Sequence, residues 1–166
     1  MKFYAPLLLA ALFASPVTAD TTELACAYKL NDPTNCVRFV GCVNNGDTHF
    51  LGRAHGWDTG ALDGITSSGA TCAGDWSYDD RINQGKGAMS CTDGNKTGFS
   101  FFSRDGKVQA FTGVIISEDG DRMSMWTGGN LLNYFAEKFP DQTEPGFLCG
   151  ENWVPFSASF LKTETD

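Results

Sequence analysis

Through the middle of this chain, apolar and polar residues alternate in short runs separated by breaks rich in glycine and aspartate. From Thr71, the run TCAGDWSY carries Cys72, Trp76 and Tyr78 on one side of a two-residue period with Gly74 among them, the pattern of a half-buried strand. The polar run Asp79 to Gly85 follows as a longer hairpin connection. Lys86 to Thr92 returns with Met89 and Cys91, and Asp93-Gly94 turns the chain again. Gly98 to Arg104 then alternates Phe99 and Phe101 with Ser100 and Phe102.

Similar runs predict strands over Cys36 to Val43, Thr48 to His55, Val108 to Ile116 and Arg122 to Thr127, with a weaker one over Leu62 to Thr66. Turns fall at Asn44 to Asp47, Ser67 to Gly69, Arg104 to Lys107 and Glu118 to Asp121. Asp32-Pro33-Thr34 reads either as a helix start with Pro at the first position or as a turn. Past Gly128-Gly129 the period changes, and Leu131, Leu132, Phe135 and Phe139 share one helical face, with Asn130 as cap and Pro140 as stop. The aromatic segment Phe147 to Leu161 is expected to add an edge strand through Trp153-Val154-Pro155-Phe156. Short turns between successive strands give an antiparallel meander. The expected fold is therefore mainly β, a curved sheet or small barrel, with one short C-terminal helix and disulfide bracing.

Ala73-Gly74-Asp75-Trp76, Gly85-Lys86-Gly87 and Asp93-Gly94 together resemble the membrane-occupation-and-recognition (MORN) repeat over about residues 72–101. That repeat carries an aromatic-x-Gly-x-Trp strand, a Gly-x-Gly turn exit and a following Asp-Gly; here cysteines stand at its aromatic positions. The resemblance implies a local hairpin shape. The family's scaffolding and lipid contacts do not transfer on a local hairpin.

Composition places this β chain in a compartment. Met1 to Ala19 has one basic residue, an apolar core from Ala5 to Ala14 and Val17-Thr18-Ala19 as a small-residue cleavage site. It reads as a secretory signal peptide cut after Ala19, since its apolar run is too short to span a membrane. Residues 20–161 are then expected to form one disulfide-braced β domain, with 162–166 a disordered tail. Six cysteines in the mature chain fit a secreted or periplasmic protein with three bridges. Pairing of the strands around the Asp79–Gln84 turn sets Cys72 opposite Cys91, within disulfide reach. The pairing of Cys26, Cys36, Cys42 and Cys149 stays open, with Cys149 expected to tie the C-terminal segment to one of the other three. The cysteine spacing fits no common zinc module, so no metal is expected.

The formal net charge is −8, and loss of Lys2 with the leader takes it to −9. No basic stripe offers itself to nucleic acid, and no cationic amphipathic helix to a membrane. No nucleophile elbow or cofactor loop is present, so no catalytic residue and no cofactor are assigned. His49 and His55 share a strand face but stand about 20 Å apart, too far to share a metal. Asp58, Asp63, Asp75, Asp79 and Asp80 could supply a carboxylate pair for a hydrolase. The candidate ligand contacts are Trp57, in a glycine-rich turn, with Tyr78, Asp79 and Asp80 at the end of the TCAGDWSY strand. The expectation is an exported, non-catalytic module that recognises a protein or glycan through hairpin loops and exposed aromatics. A carboxylate-dependent hydrolase of an extracellular polymer and a structural envelope component are the alternatives.

Overall fold

The computed structural model of the protein describes residues 26–43, 46, 48–103, 111–116 and 122–161. The predicted leader at 1–19, most of the first predicted turn, residues 108–110 of a predicted strand, the predicted turns at 104–107 and 118–121, and the predicted tail at 162–166 lie outside the described residues.

Eight strands follow one another: β1 (Cys36–Val43), β2 (Thr48–His55), β3 (Thr59–Thr66), β4 (Thr71–Asp79), β5 (Gln84–Cys91), β6 (Lys96–Ser103), β7 (Phe111–Ile116) and β8 (Arg122–Gly128). Each pairs antiparallel with the next. β8 also pairs with β1, placing Val40 opposite Trp126, so the meander closes into a barrel. Closure removes the unpaired edges that an open sheet would carry.

The two-residue period of the strands divides the apolar residues between two cores. One parity points inward: Phe39, Phe50, Leu62, Met89, Phe99, Phe101 and Met125 fill the barrel. Interior glycines make room for this aromatic filling. Gly85 lies directly opposite Phe101 in the ladder, and a Cβ built on it would stand 1.9 Å from the ring. On the outside, Val40, Cys42 and Trp126 meet a C-terminal layer. That layer contains α1 (Leu131–Lys138), β9 (Gly146–Cys149), β10 (Asn152–Pro155) and the single turn α2 (Ala158–Leu161). Phe147 is fully buried within it, and Phe135 and Phe156 pack on Phe147 at 5.8 and 5.9 Å between ring centroids.

This layer departs from the sequence expectation. Trp153 to Pro155 add no edge strand to the main sheet, because the closed barrel leaves no edge to join; they pair with Gly146 to Leu148 as a separate hairpin. Helix α1 forms as expected, but Asn130 makes no side-chain capping bond, and its Oδ1 accepts instead from Asn133 Nδ2 at 2.7 Å. Asp32 starts no helix; its carboxylate accepts from the Thr34 amide at 2.7 Å and makes a turn. α2 lies beyond the one predicted helix. Arg38, pointing out of β1, donates to the backbone carbonyls of Phe160 at 2.6 Å and Leu161 at 2.8 Å and so fixes this last turn to the barrel wall.

Three disulfides staple the chain. Cys72–Cys91 joins directly opposed residues of β4 and β5, Cys42–Cys149 ties the C-terminal layer to β1, and Cys26–Cys36 clips the N-terminal segment to the start of β1. Three such bridges fit an oxidising compartment. No helix among the described residues is long and apolar enough to cross a membrane.

Candidate functional site

In a meander of this kind, alternate connections gather at opposite ends. The β2–β3 and β4–β5 turns, the N-terminal segment before β1 and the chain leaving β8 meet at one end, here called the mouth. Cys72, Cys91, Met89 and Met123 belong to the far half of the barrel.

The mouth opens into a cavity of about 320 Å³. Its inner wall is apolar: Val37, Phe39, Leu62, Phe99, Phe101 and Met125. Phe39 and Phe99 sit 6.0 Å apart between centroids, and Tyr78 stacks on Phe101 at 6.2 Å with 12° between the planes. Trp76 lies beside Phe101 at 6.5 Å. Several polar groups of this wall are turned to the protein itself. The Trp76 indole N–H donates to the His55 carbonyl at 2.9 Å, and the Thr127 hydroxyl donates to the Arg38 carbonyl at 2.8 Å. Tyr78 donates through its hydroxyl to Asn83 Oδ1. Asn35, only 4 % exposed, donates to the Gly56 carbonyl at 2.9 Å and accepts from the Lys29 amide at 2.8 Å. Among the described residues no buried side-chain nitrogen or oxygen lacks a partner.

The rim is built from turns. Gly56 takes φ +99° in the β2–β3 turn, where a Cβ would stand 2.2 Å from the Thr59 carbonyl oxygen, so this tight reversal needs glycine. The reversal presents Trp57 and Asp58 to the cavity, and the Asp58 carbonyl accepts from the Tyr78 amide at 2.6 Å. Tyr28 of the N-terminal segment reaches Trp57 at 6.1 Å between ring centroids.

Comparison with known proteins returns barrels. No protein-family model matches the chain, and no curated protein matches it. Among solved structures it is similar to a redesigned β barrel, mFAP1, bound to DFHBI, at 14 % identity and a TM-score of 0.45, covering 58 % of this chain and 94 % of that one. It is likewise similar to a de novo designed fluorescence-activating β barrel, at 15 % identity and a TM-score of 0.45, covering 59 % and 93 %.

The structure places three of the four candidate ligand contacts, Trp57, Tyr78 and Asp80, on this cavity. Asp79 is not among its lining residues. Its carboxylate takes the Arg81 guanidinium in a two-pronged ion pair at 2.8 and 3.0 Å, and those hydrogen bonds hold its carboxyl below the usual range. The two histidines are not brought together. His49 packs edge-on against Phe147 in the outer core, where burial pushes its pKa down, and His55 bonds Asp63 on the barrel exterior. All six cysteines are in disulfides. Asn35, Thr127 and Tyr28 were not singled out by sequence, and only the fold over the mouth assembles them. The inward parity of Trp76, Tyr78, Phe99 and Phe101 is the signal that could have located the wall.

Proposed function

We propose that the protein is an exported, non-catalytic binding module whose ligand enters the mouth of the barrel. Export rests on the Met1–Ala19 leader together with three disulfides. One observation carries the reading: an apolar, aromatic-walled cavity of about 320 Å³ at the mouth, in the size range of small-molecule sites. This reading departs from the sequence-based expectation of a protein or glycan held on hairpin tips, putting a small ligand inside the mouth instead. A sugar needs hydroxyl partners over its whole surface. Here Trp76 and Thr127 donate to backbone carbonyls, while the inner wall offers phenyl rings and thioether. The ligand that fits is small, flat and largely apolar.

A hydrolase reading is favoured by one observation, that Asp58 and Asp80 both line the cavity. For an envelope component, the main sheet offers no free edge among the described residues.

The binding reading is tested by filling the cavity. Ala54 is a buried lining residue, and Ala54→Phe places a ring where the ligand's would lie. Titration of the mature, oxidised protein with a neutral naphthyl alcohol, followed by tryptophan fluorescence, is expected to saturate at one ligand per chain. A54F is expected to abolish that saturation while retaining a cooperative unfolding transition. Undiminished binding by folded A54F would place the ligand elsewhere.

A further inference from the structure

We propose that the ligand of the barrel mouth is an amphiphilic organic cation, a flat apolar ring system bearing one ammonium group. The rings sit among Phe39, Phe99 and Phe101 and the ammonium lies at the rim, against the carboxylates of Asp58 and Asp80. The inference rests on the binding reading above and specifies the chemistry of the ligand's polar end.

Three features of the mouth lead to a cation. First, the polar hydrogens of Trp76, Tyr78 and Thr127 are engaged with protein acceptors. Thr127 is 7 % exposed, and with its hydrogen committed to the Arg38 carbonyl it turns lone pairs, not a donor, toward the cavity. A ligand group meeting the Thr127 hydroxyl must donate. Second, among the described residues the charged groups lining the cavity are Asp58 and Asp80, both exposed, and no described lysine, arginine or histidine lines it. The cation close by in sequence, Arg81, grips Asp79 with both prongs of its guanidinium. Third, the rings of Tyr28, Trp57, Trp76 and Tyr78 crowd the same opening. Aromatic faces carry negative potential and attract ammonium groups. Carboxylates and ring faces thus act with one sign, and an anionic ligand would meet repulsion from both.

The test uses three probes that share a ring system and differ in charge: 1-naphthylmethylammonium, 1-naphthalenemethanol and 1-naphthoate, titrated calorimetrically into the mature, oxidised protein. At low salt the ammonium is expected to bind about tenfold more tightly than the alcohol, as an exposed ion pair with a cation–π contact provides, and the carboxylate to bind least. High salt should shrink the ammonium's advantage. In the Asp58→Asn/Asp80→Asn double variant the advantage is expected to fall below about threefold by the same reasoning. Asparagine suits position 58, whose φ is 60°. Glu151→Gln, in the exposed turn between β9 and β10, should leave the advantage intact. Equal or tighter binding of alcohol or carboxylate to the wild type, or an undiminished ammonium advantage in the double variant, would overturn the cation assignment and leave the cavity as a ligand site. Failure of all three probes to bind would overturn the site itself.

Discussion

Gly85 shows how much in this barrel is decided by single residues. Across the ladder from it, the Phe101 ring lies over the glycine, and three ring carbons would stand 1.9, 2.2 and 2.4 Å from an added Cβ. Gly85→Ala must push that ring off β5 and toward the cavity, and overpacking of this kind costs about 2 kcal/mol. Gly98 is also in a strand, but a Cβ there meets nothing within 4 Å. Gly98→Ala is therefore expected to be neutral or to stabilise by about 0.5 kcal/mol through the unfolded chain. Urea unfolding of the two variants checks the contrast, and equal stabilities would refute this account of the interior. In sequence, Gly85-Lys86-Gly87 reads as a turn exit through its resemblance to the MORN repeat. Their role beneath Phe101 and Phe99 emerges only when β6 is laid beside β5. Residue chemistry was likewise half legible at the rim. Asp79 and Asp80 look equivalent in the chain, yet the Arg81 fork takes one and the other lines the cavity.

At the scale of elements, strands were legible wherever one face is core and the other solvent. β4 and β5 bury Cys72 and Met89 and expose Thr71, Ala73, Lys86 and Ser90, which is why alternation located them. The C-terminal layer was less legible for the opposite reason. Its aromatic residues, Phe147, Trp153, Phe156 and Phe160, are covered by the barrel or by one another, so no simple period marks where β10 ends and α2 begins. What positions α2 is a long-range polar contact from Arg38, 8 % exposed, to its two carbonyl oxygens. Burial pushes the guanidinium's pKa down, and Arg53 nearby pushes the same way, but it starts far above neutrality, so the group stays charged. Arg38→Met keeps a flexible stem and removes both charge-assisted bonds, and is expected to cost about 2 to 3 kcal/mol. Hydrogen exchange should then show the loss first at Phe160 and Leu161, ahead of any barrel strand. Uniformly faster exchange throughout the barrel would mean that Arg38 supports the sheet itself and not the last turn.

For the molecule as a whole, the proposed binding function implies that closure and stapling divide the labour between stability and recognition. Nothing in the spacing of turns distinguishes a curled sheet from a closed barrel, because closure depends on the register of β8 against β1, 89 residues apart where Thr127 meets Arg38. The Cys72–Cys91 bridge could be found by counting back from a turn, whereas Cys42–Cys149, separated by 107 residues, could not. The two bridges outside β4–β5 constrain very different loops. On chain entropy alone, the 107-residue closure is worth about 5 kcal/mol and the 10-residue closure of Cys26–Cys36 about 3 kcal/mol. Their positions reverse that order for recognition. Cys42–Cys149 anchors the outer layer, away from the mouth, while Cys26–Cys36 holds the segment that delivers Tyr28, Asn31 and Asn35 to the cavity. Replacing Cys42 and Cys149 by serine should therefore lower unfolding free energy the more of the two pairs, yet leave naphthyl-probe affinity near the wild-type value under native conditions. Replacing Cys26 and Cys36 should cost less stability but weaken the probe about tenfold, the effect of freeing one side of a preorganised site. Paired denaturation and titration of the two double variants separates these effects. If the Cys42/Cys149 variant lost affinity while the Cys26/Cys36 variant kept it, the mouth would not be where the ligand binds.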